Sequence, residues 1–463
     1  MKTRHTLVAA IAAFALLGSA CTTGGAVEQN LDNPGTDLRS EETYDPRAFE
    51  GESINILLIE HPFVDTLRPL IPGFEQETGI TVNLEVLNEQ QGFDKLQADL
   101  SAGSGNFDVF MTSPLQNWQY SAAGWVEPLD GYVGNDGITM PGYDFDDFAP
   151  GILNSGRWTL EPLTGLGEGP LWGLPINFES YNLTYRPSMF EAAGVEVPTT
   201  YEEVLVATEL LAGSLSGNNY PVVTRFDKYW DLTYLTFGSM AGAYGVTLLD
   251  EDGEVGIASA AAVEATELFI DIIKAGSPDG SSAFTWYESL QGMTSGRFAM
   301  ALNEADLFAP TYENVSESVI ADDVGYAMIP EGPEGRSAGA WIWQMSMSSS
   351  SENKGAAWTF LQWLTSPDVL METHLAGNMN PVRLSAWENE ELSALVETWG
   401  AEPGQYRKVL AETAKIAEIS VPPHPELTRA LNRWAEAIQQ SYFDGNVKEN
   451  LESAAADIES ILR

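Results

Sequence analysis

The sequence predicts an α/β architecture built on a parallel sheet. Three observations predict it. Between Ser53 and Met111 the chain alternates strand-like and helix-like apolar patterns, the signature of parallel strands joined by right-handed crossovers. At 463 residues it is long enough for two or more domains with ample core. The stretch Trp172 to Pro187 reads as two short strands on either side of a carboxylate, Glu179. Such a group costs too much to bury unpaired, so it belongs in a cleft, facing water or a polar ligand.

Taken in order, Ser53 to Ile59 is a buried strand. Phe63, Leu67, Leu70, Ile71 and Phe74 then follow helical spacing, which Pro69 and Pro72 should kink. Ile80, Val82, Leu84 and Val86 alternate as a second strand. Phe93, Leu96 and Leu100 mark a helix ended by Gly103 and Gly105, and Phe107 to Met111 is a third strand. In such sheets ligands lie beyond the carboxyl ends of the strands. That singles out Glu60 and His61 after the first strand, and Thr112, Ser113 and Gln116 after the third. Gly131 to Gly169 is rich in Gly, Asp and Pro and reads as irregular covering structure. Trp172 to Asn177 is mostly apolar, Glu179 interrupts it, and Tyr181, Leu183 and Tyr185 alternate with polar residues until Pro187.

Thr200-Tyr201-Glu202-Glu203 is a capping box before a helix ending near Gly213, and Pro221 to Phe226 is a strand followed by Asp227, Tyr229 and Trp230. Ser259 to Lys274 is an amphipathic helix, and Trp286 and Tyr287 stand near the start of the next. Ser295 to Met300 leads into Ala301-Leu302-Asn303, and Gly325 to Pro330 and Gly339 to Met347 follow. Ala356, Ala357, Phe360, Leu361 and Leu364 form a helix stripe, and Val447 to Leu462 has the spacing of a terminal packing helix.

Composition narrows the partners. Hydrophobic content of 44% with 13 Trp marks a globular chain. Acids outnumber bases 67 to 22, and a net charge of −45 would repel nucleic acid and argues against a polybasic membrane patch. An acidic surface this extreme suggests a salty habitat. Residues 1–20 read as a processing segment: Lys2 and Arg4, then an apolar run from Leu7 to Leu17 too short to span a membrane as a mature helix. Gly18-Ser19-Ala20-Cys21 resembles a lipobox, which makes Cys21 the expected lipidation site and the membrane a partner through a lipid anchor. Cys21 is the single cysteine, so no disulfide forms within the chain. Thr22 to Gly51 is polar and reads as a flexible tether.

Several segments carry a family resemblance. FEQETGITVNLEVL, FDVFMTSPLQNWQYSAAGWVEPLD, the interrupted strand running into TYRPSMFEAAGVEVPTTYEEVL, Ser295 to Met300, NKGAAWTFLQWLTSPD and Asn380-Pro381-Val382-Arg383 are similar to the family 1 extracellular solute-binding proteins of bacterial ABC transporters. These are sugar-binding relatives of the maltose-binding protein. The resemblance runs from about Ile54 to the C-terminus. It implies a two-lobe periplasmic-binding-protein fold (type II), each lobe a sheet flanked by helices, joined by a three-crossing hinge. The crossings it implies assign 53–177 plus 301–343 to the first lobe and 178–300 plus 344–463 to the second, after a leader (1–20) and a tether (21–52). It also implies a monomeric receptor on the outer face of the cell membrane, lipid-anchored or else periplasmic or secreted, that passes a carbohydrate to ABC permease subunits.

Sugars present apolar C–H faces and a rim of hydroxyls, so a site for them needs aromatic rings and planar polar groups. Tyr181, Tyr229, Trp230, Trp286, Trp341 and Trp343 are the aromatic candidates. Glu60, Glu179, Asp227, Asn303 and Asp306 are the polar candidates, and Arg383 the cationic one. Walker, H-E-x-x-H and G-x-S-x-G motifs are absent, and four scattered His give no zinc set. The expectation is a binding protein without cofactor or metal. A secreted lipoprotein glycosidase using paired carboxylates, and a purely adhesive lipoprotein, are the alternatives.

Overall fold

A computed structural model describes residues 35–250 and 253–463. The leader, Cys21 and the first part of the tether lie outside the described residues.

Eleven strands are described: β1 (Ser53–Ile59), β2 (Thr81–Leu87), β3 (Val109–Thr112), β4 (Arg157–Trp158), β5 (Leu166–Leu171), β6 (Leu174–Tyr185), β7 (Tyr220–Val223), β8 (Phe298–Ala305), β9 (Gly325–Met328), β10 (Ala338–Met347) and β11 (Ala417–Glu418). β1 lies between β2 and β3, parallel to both. Its Ile54, Ile56, Leu57, Leu58 and Ile59 are fully buried, as a near-continuous apolar run in a parallel strand covered on both faces must be. The expected helix after β1 is broken in two, Pro62–Leu67 and Ile71–Thr78, with the break around Pro69. The helices Glu89–Ala102 and Pro114–Ala122 complete the first layers, and the former ends on Gly103 in the left-handed conformation. β4 and β5 form a small separate hairpin within the stretch expected to be irregular.

β6 departs from the sequence-based expectation. It is one continuous strand of 12 residues, buried throughout, and not two strands with Glu179 between them. Its neighbours change along its length. Leu174 to Ser180 pair with β10, whereas Tyr181 to Tyr185 pair with β8 and β9. One strand therefore serves two sheets. The first has the order β2-β1-β3-β10-β6, and the second gathers β9, β8 and β7 around the far half of β6.

This pairing divides the chain differently from the expected boundaries. Ala301 to Ala305 and β9 belong with the second sheet, because their ladder partners are Tyr181 to Tyr185. Gln344 to Met347 belong with the first, because they pair with β3. The helix Lys354–Leu364 also packs on the first sheet, with Phe360 and Trp363 against Phe74 at ring distances of 5.3 and 4.9 Å. The chain still passes between the sheets three times: along β6, back along β10, and again between the helices Pro367–Leu375 and Gln405–Thr413. The terminal helices Leu427–Asp444 and Val447–Ile461 pack on each other and on the second sheet's helix Ala260–Gly276 and turn Leu232–Thr236.

Candidate functional site

The site forms where β6 and β10 leave one sheet for the other. Glu179 lies one residue before the change of partners, opposite Trp341 in the ladder. It is 4% exposed, and its burial is compensated: Trp343 Nε1 donates to Oε1 at 2.8 Å and the Tyr181 hydroxyl donates to Oε2 at 2.9 Å. From the first sheet's side comes His61, the N-cap of the helix Pro62–Leu67. Its Nδ1 accepts from Phe63 N at 3.1 Å, so the neutral ring carries its proton on Nε2. Burial pushes this imidazole down to about 3, keeping it neutral. Nε2 stands 3.9 Å from Glu179 Oε1 and has no hydrogen-bond partner.

The second sheet contributes Arg225, two residues beyond β7. Its backbone N and Nε donate to Glu304 on β8 at 3.1 and 3.0 Å. Its Nη1 lies 3.7 Å from Asp231 and its Nη2 lies 3.8 Å from Glu179, the latter without a hydrogen bond. The guanidinium also sits 5.3 Å above the Tyr181 ring. Trp230 stacks on Trp341 at 4.5 Å, and Trp341 meets Trp343 edge-on at 5.4 Å. His61, Glu89, Glu179, Arg225, Trp286 and these three indoles line an inner cavity with about 10 Å³ of free space. Two outer cavities, about 330 and about 280 Å³, flank it.

Acids crowd the rim. Burial, then the Asp231 charge, raises Glu89 to about 8 even though Trp286 Nε1 donates to it at 2.9 Å. Burial, then Asp231 and Glu89, raises Asp227 to about 9, and its buried Oδ1 lacks a partner. Asp231 and Glu304 are also raised by burial, with Arg225 opposing. Among the described residues lining the inner cavity, Arg225 is the one Lys or Arg.

Of the sequence-predicted residues, His61, Glu179, Trp230, Trp286, Trp341 and Trp343 meet at the inner cavity. Tyr181 reaches it through Glu179. Glu60, Asp227 and Tyr229 line the outer ones. The others have structural employment elsewhere. Ser113 and Gln116 bond each other, and Thr112 pairs with Gln344 inside the first sheet. Asn303, at φ 51°, donates to the Tyr201 hydroxyl and to Thr236 O. Asp306, raised to about 7 by burial, accepts from Ser180 N and from Asn380 Nδ2 and so clamps β6. Arg383 donates to the carbonyls of Thr365, Tyr143 and Asp144 and stacks 4.0 Å over Phe148. An arginine so fully occupied by backbone oxygens has nothing left for a solute.

Sequence reasoning missed Arg225, Glu89, Asp231 and Glu304. Arg225 carries a usable signal, a cation two residues past the apolar run Pro221-Val222-Val223. Glu89 carries none, since an acid in the first turn of a helix is what the helix dipole favours anywhere. Among the described residues no His, Cys, Asp and Glu group has the geometry to hold a metal ion.

The family model described as "Bacterial extracellular solute-binding protein" matches residues 61–371. The erythritol/L-threitol-binding protein of Mycolicibacterium smegmatis is 28% identical over 444 residues, covering 94% of this chain and 91% of that protein. A solute-binding protein of Agrobacterium radiobacter, solved with ribitol, superposes with a TM-score of 0.77 at 23% identity, over 89% of this chain and 99% of that one. The maltose-bound MalE3 protein of T. maritima does so with 0.76 at 19% identity, over 89% and 100%. These two structural likenesses are of fold: the chain has the two-lobe type II periplasmic-binding-protein fold that the sequence implies.

Proposed function

This chain belongs to the bacterial extracellular solute-binding protein family, the receptors of ABC importers for sugars and polyols, and on that premise we propose that its cargo is a short acyclic sugar alcohol. The cargo is held between the lobes outside the cytoplasm and delivered unchanged to the permease subunits, with no chemical turnover. Cys21 is the anchor to the membrane, and the receptor works as a monomer.

One observation carries this reading. Two buried donors without partners, His61 Nε2 and Arg225 Nη2, converge with the Glu179 carboxylate beside the stacked face of Trp230 and Trp341. A polyol supplies what each lacks. Its hydroxyls accept from the two nitrogens and donate to the carboxylates, while its C–H edge lies on the indoles. Because the contacts come from both lobes, the cargo stabilises the closed arrangement preferentially, which is the condition for a population shift.

Titration calorimetry with erythritol, ribitol and mannitol tests the reading. The expected result is saturable binding of at least one alditol with Kd near ~1 μM or below, ~−8 kcal/mol, and recovery of the ligand unchanged. Glu179→Ala and Trp230→Ala should each weaken it about tenfold or more, ~1.4 kcal/mol. Silence with every alditol alongside binding of maltose would overturn the assignment, and release of a reducing end from an oligosaccharide would favour a glycosidase.

A further inference from the structure

The helix Trp286–Thr294 packs on β8 and β7, in the second lobe, and is fixed at its start by the capping box of Thr285 and Glu288. Its first two side chains reach the other lobe. Trp286 Nε1 donates to Glu89 Oε2 at 2.9 Å. The Tyr287 hydroxyl donates to Glu60 O at 3.3 Å and accepts from Glu89 N at 3.1 Å. Both partners sit just beyond first-lobe strands, Glu60 after β1 and Glu89 after β2. The two rings stack with centroids 3.6 Å apart, and the indole is backed by Phe308 at 5.7 Å.

The position of this pair matters more than its bonds. Trp286 lines the inner cavity and both outer ones, so the indole stands as a partition where the three spaces meet; with the lobes together the inner space, about 10 Å³, is room for about one water. Its anchor lies on the opposite lobe, so the partition is complete only when the lobes are together. We propose that Trp286, held by Glu89 and braced by Tyr287, is the specificity-determining wall that limits cargo length: it admits a short alditol and turns away anything carrying a second sugar ring. This rests on the alditol reading above. Truncating the indole merges the inner space with its neighbours and opens a path for a longer ligand.

The test titrates wild type and Trp286→Ala with erythritol and with maltitol, a disaccharide alcohol. Wild type should bind erythritol and ignore maltitol. Trp286→Ala should bind maltitol measurably and erythritol about tenfold more weakly. A folded Trp286→Ala protein, judged by circular dichroism, that still ignores maltitol would overturn the wall and leave the alditol reading standing. Wild type that binds none of erythritol, ribitol, mannitol and maltitol overturns the alditol reading, and the wall with it; where ribitol or mannitol binds and erythritol does not, that alditol serves as the short probe. Tyr287→Ala provides an arm that keeps the indole. Stopped-flow tryptophan fluorescence should show erythritol leaving about tenfold faster, because the cross-lobe brace is gone. An unchanged release rate would count against the latch even if Trp286→Ala cannot be folded.

Discussion

Glu89 and Asp227 give the cleft a pH dependence whose sign is fixed by their surroundings. Both carboxyls are raised, to about 8 and about 9, by burial first and by neighbouring acids second. The folded protein therefore keeps protons that the unfolded chain has already lost. Their contribution to stability is present in full below the ordinary carboxylate range and disappears as pH rises through 8 and 9. His61 and His374 act in the opposite direction. Burial lowers them to about 3 and about 4, so stability is lost as pH falls below 6.5. Thermal unfolding should thus show Tm declining from pH 6.5 to 9, by about 1 °C for each kcal/mol lost in a chain of this length, and Glu89→Gln should flatten the decline. A profile that rises over this range would contradict the assignment. At this scale the sequence was only partly legible. A carboxylate inside an apolar run demands compensation, which marked Glu179 as unusual, but the compensation comes from Trp343 and Tyr181 in a buried strand and not from a place in a loop facing water. Asn303, Asp306 and Arg383 carry the same chemistry in sequence, yet fold into clamps, because only three-dimensional packing decides whether a polar head meets a backbone carbonyl or a solute.

Among the elements, the strands and helices of the first sheet were legible from apolar period and proline position, down to the break near Pro69. The continuity of β6 was not. Alternation along the chain reports which face is buried, and says nothing about a change of neighbouring strand, which is what happens between Ser180 and Tyr181. The same blind spot misplaced β8 and β9. The entrance to β6 depends on Gly173. A Cβ there would come within 2.8 Å of Gln344 Oε1 and 2.9 Å of Asn117 Nδ2 and Ser346 Oγ, and Asn117 Nδ2 donates to both of the other two. Gly173→Ala should cost about 1–3 kcal/mol in urea unfolding, as overpacking of a well-filled site does. A change within ~0.5 kcal/mol, the range of ordinary surface substitutions, would mean that the network yields without penalty.

Over the whole molecule, the charge balance was the most legible property and the lobe boundaries the least. With a net charge of −45, self-repulsion opposes the compact state, and mobile ions relieve it. Tm should therefore climb by several degrees between ~0.01 and ~0.5 M NaCl, where the Debye length shrinks from ~30 Å to under ~8 Å. A flat response would show that the acids are locally compensated. Boundaries were hard to place because a chain that passes three times between lobes leaves no compositional seam at any passage. The shared strands also carry a consequence for the order of events. Glu179, Trp341 and Trp343 project from β6 and β10, the spine on which both covers turn. Points near an axle travel least when the covers swing, so this trio stays nearly assembled in the open book. On the proposed reading, cargo would meet the spine first, and the outer pages, His61 from one cover and Arg225 and Trp286 from the other, would fold down on it afterwards.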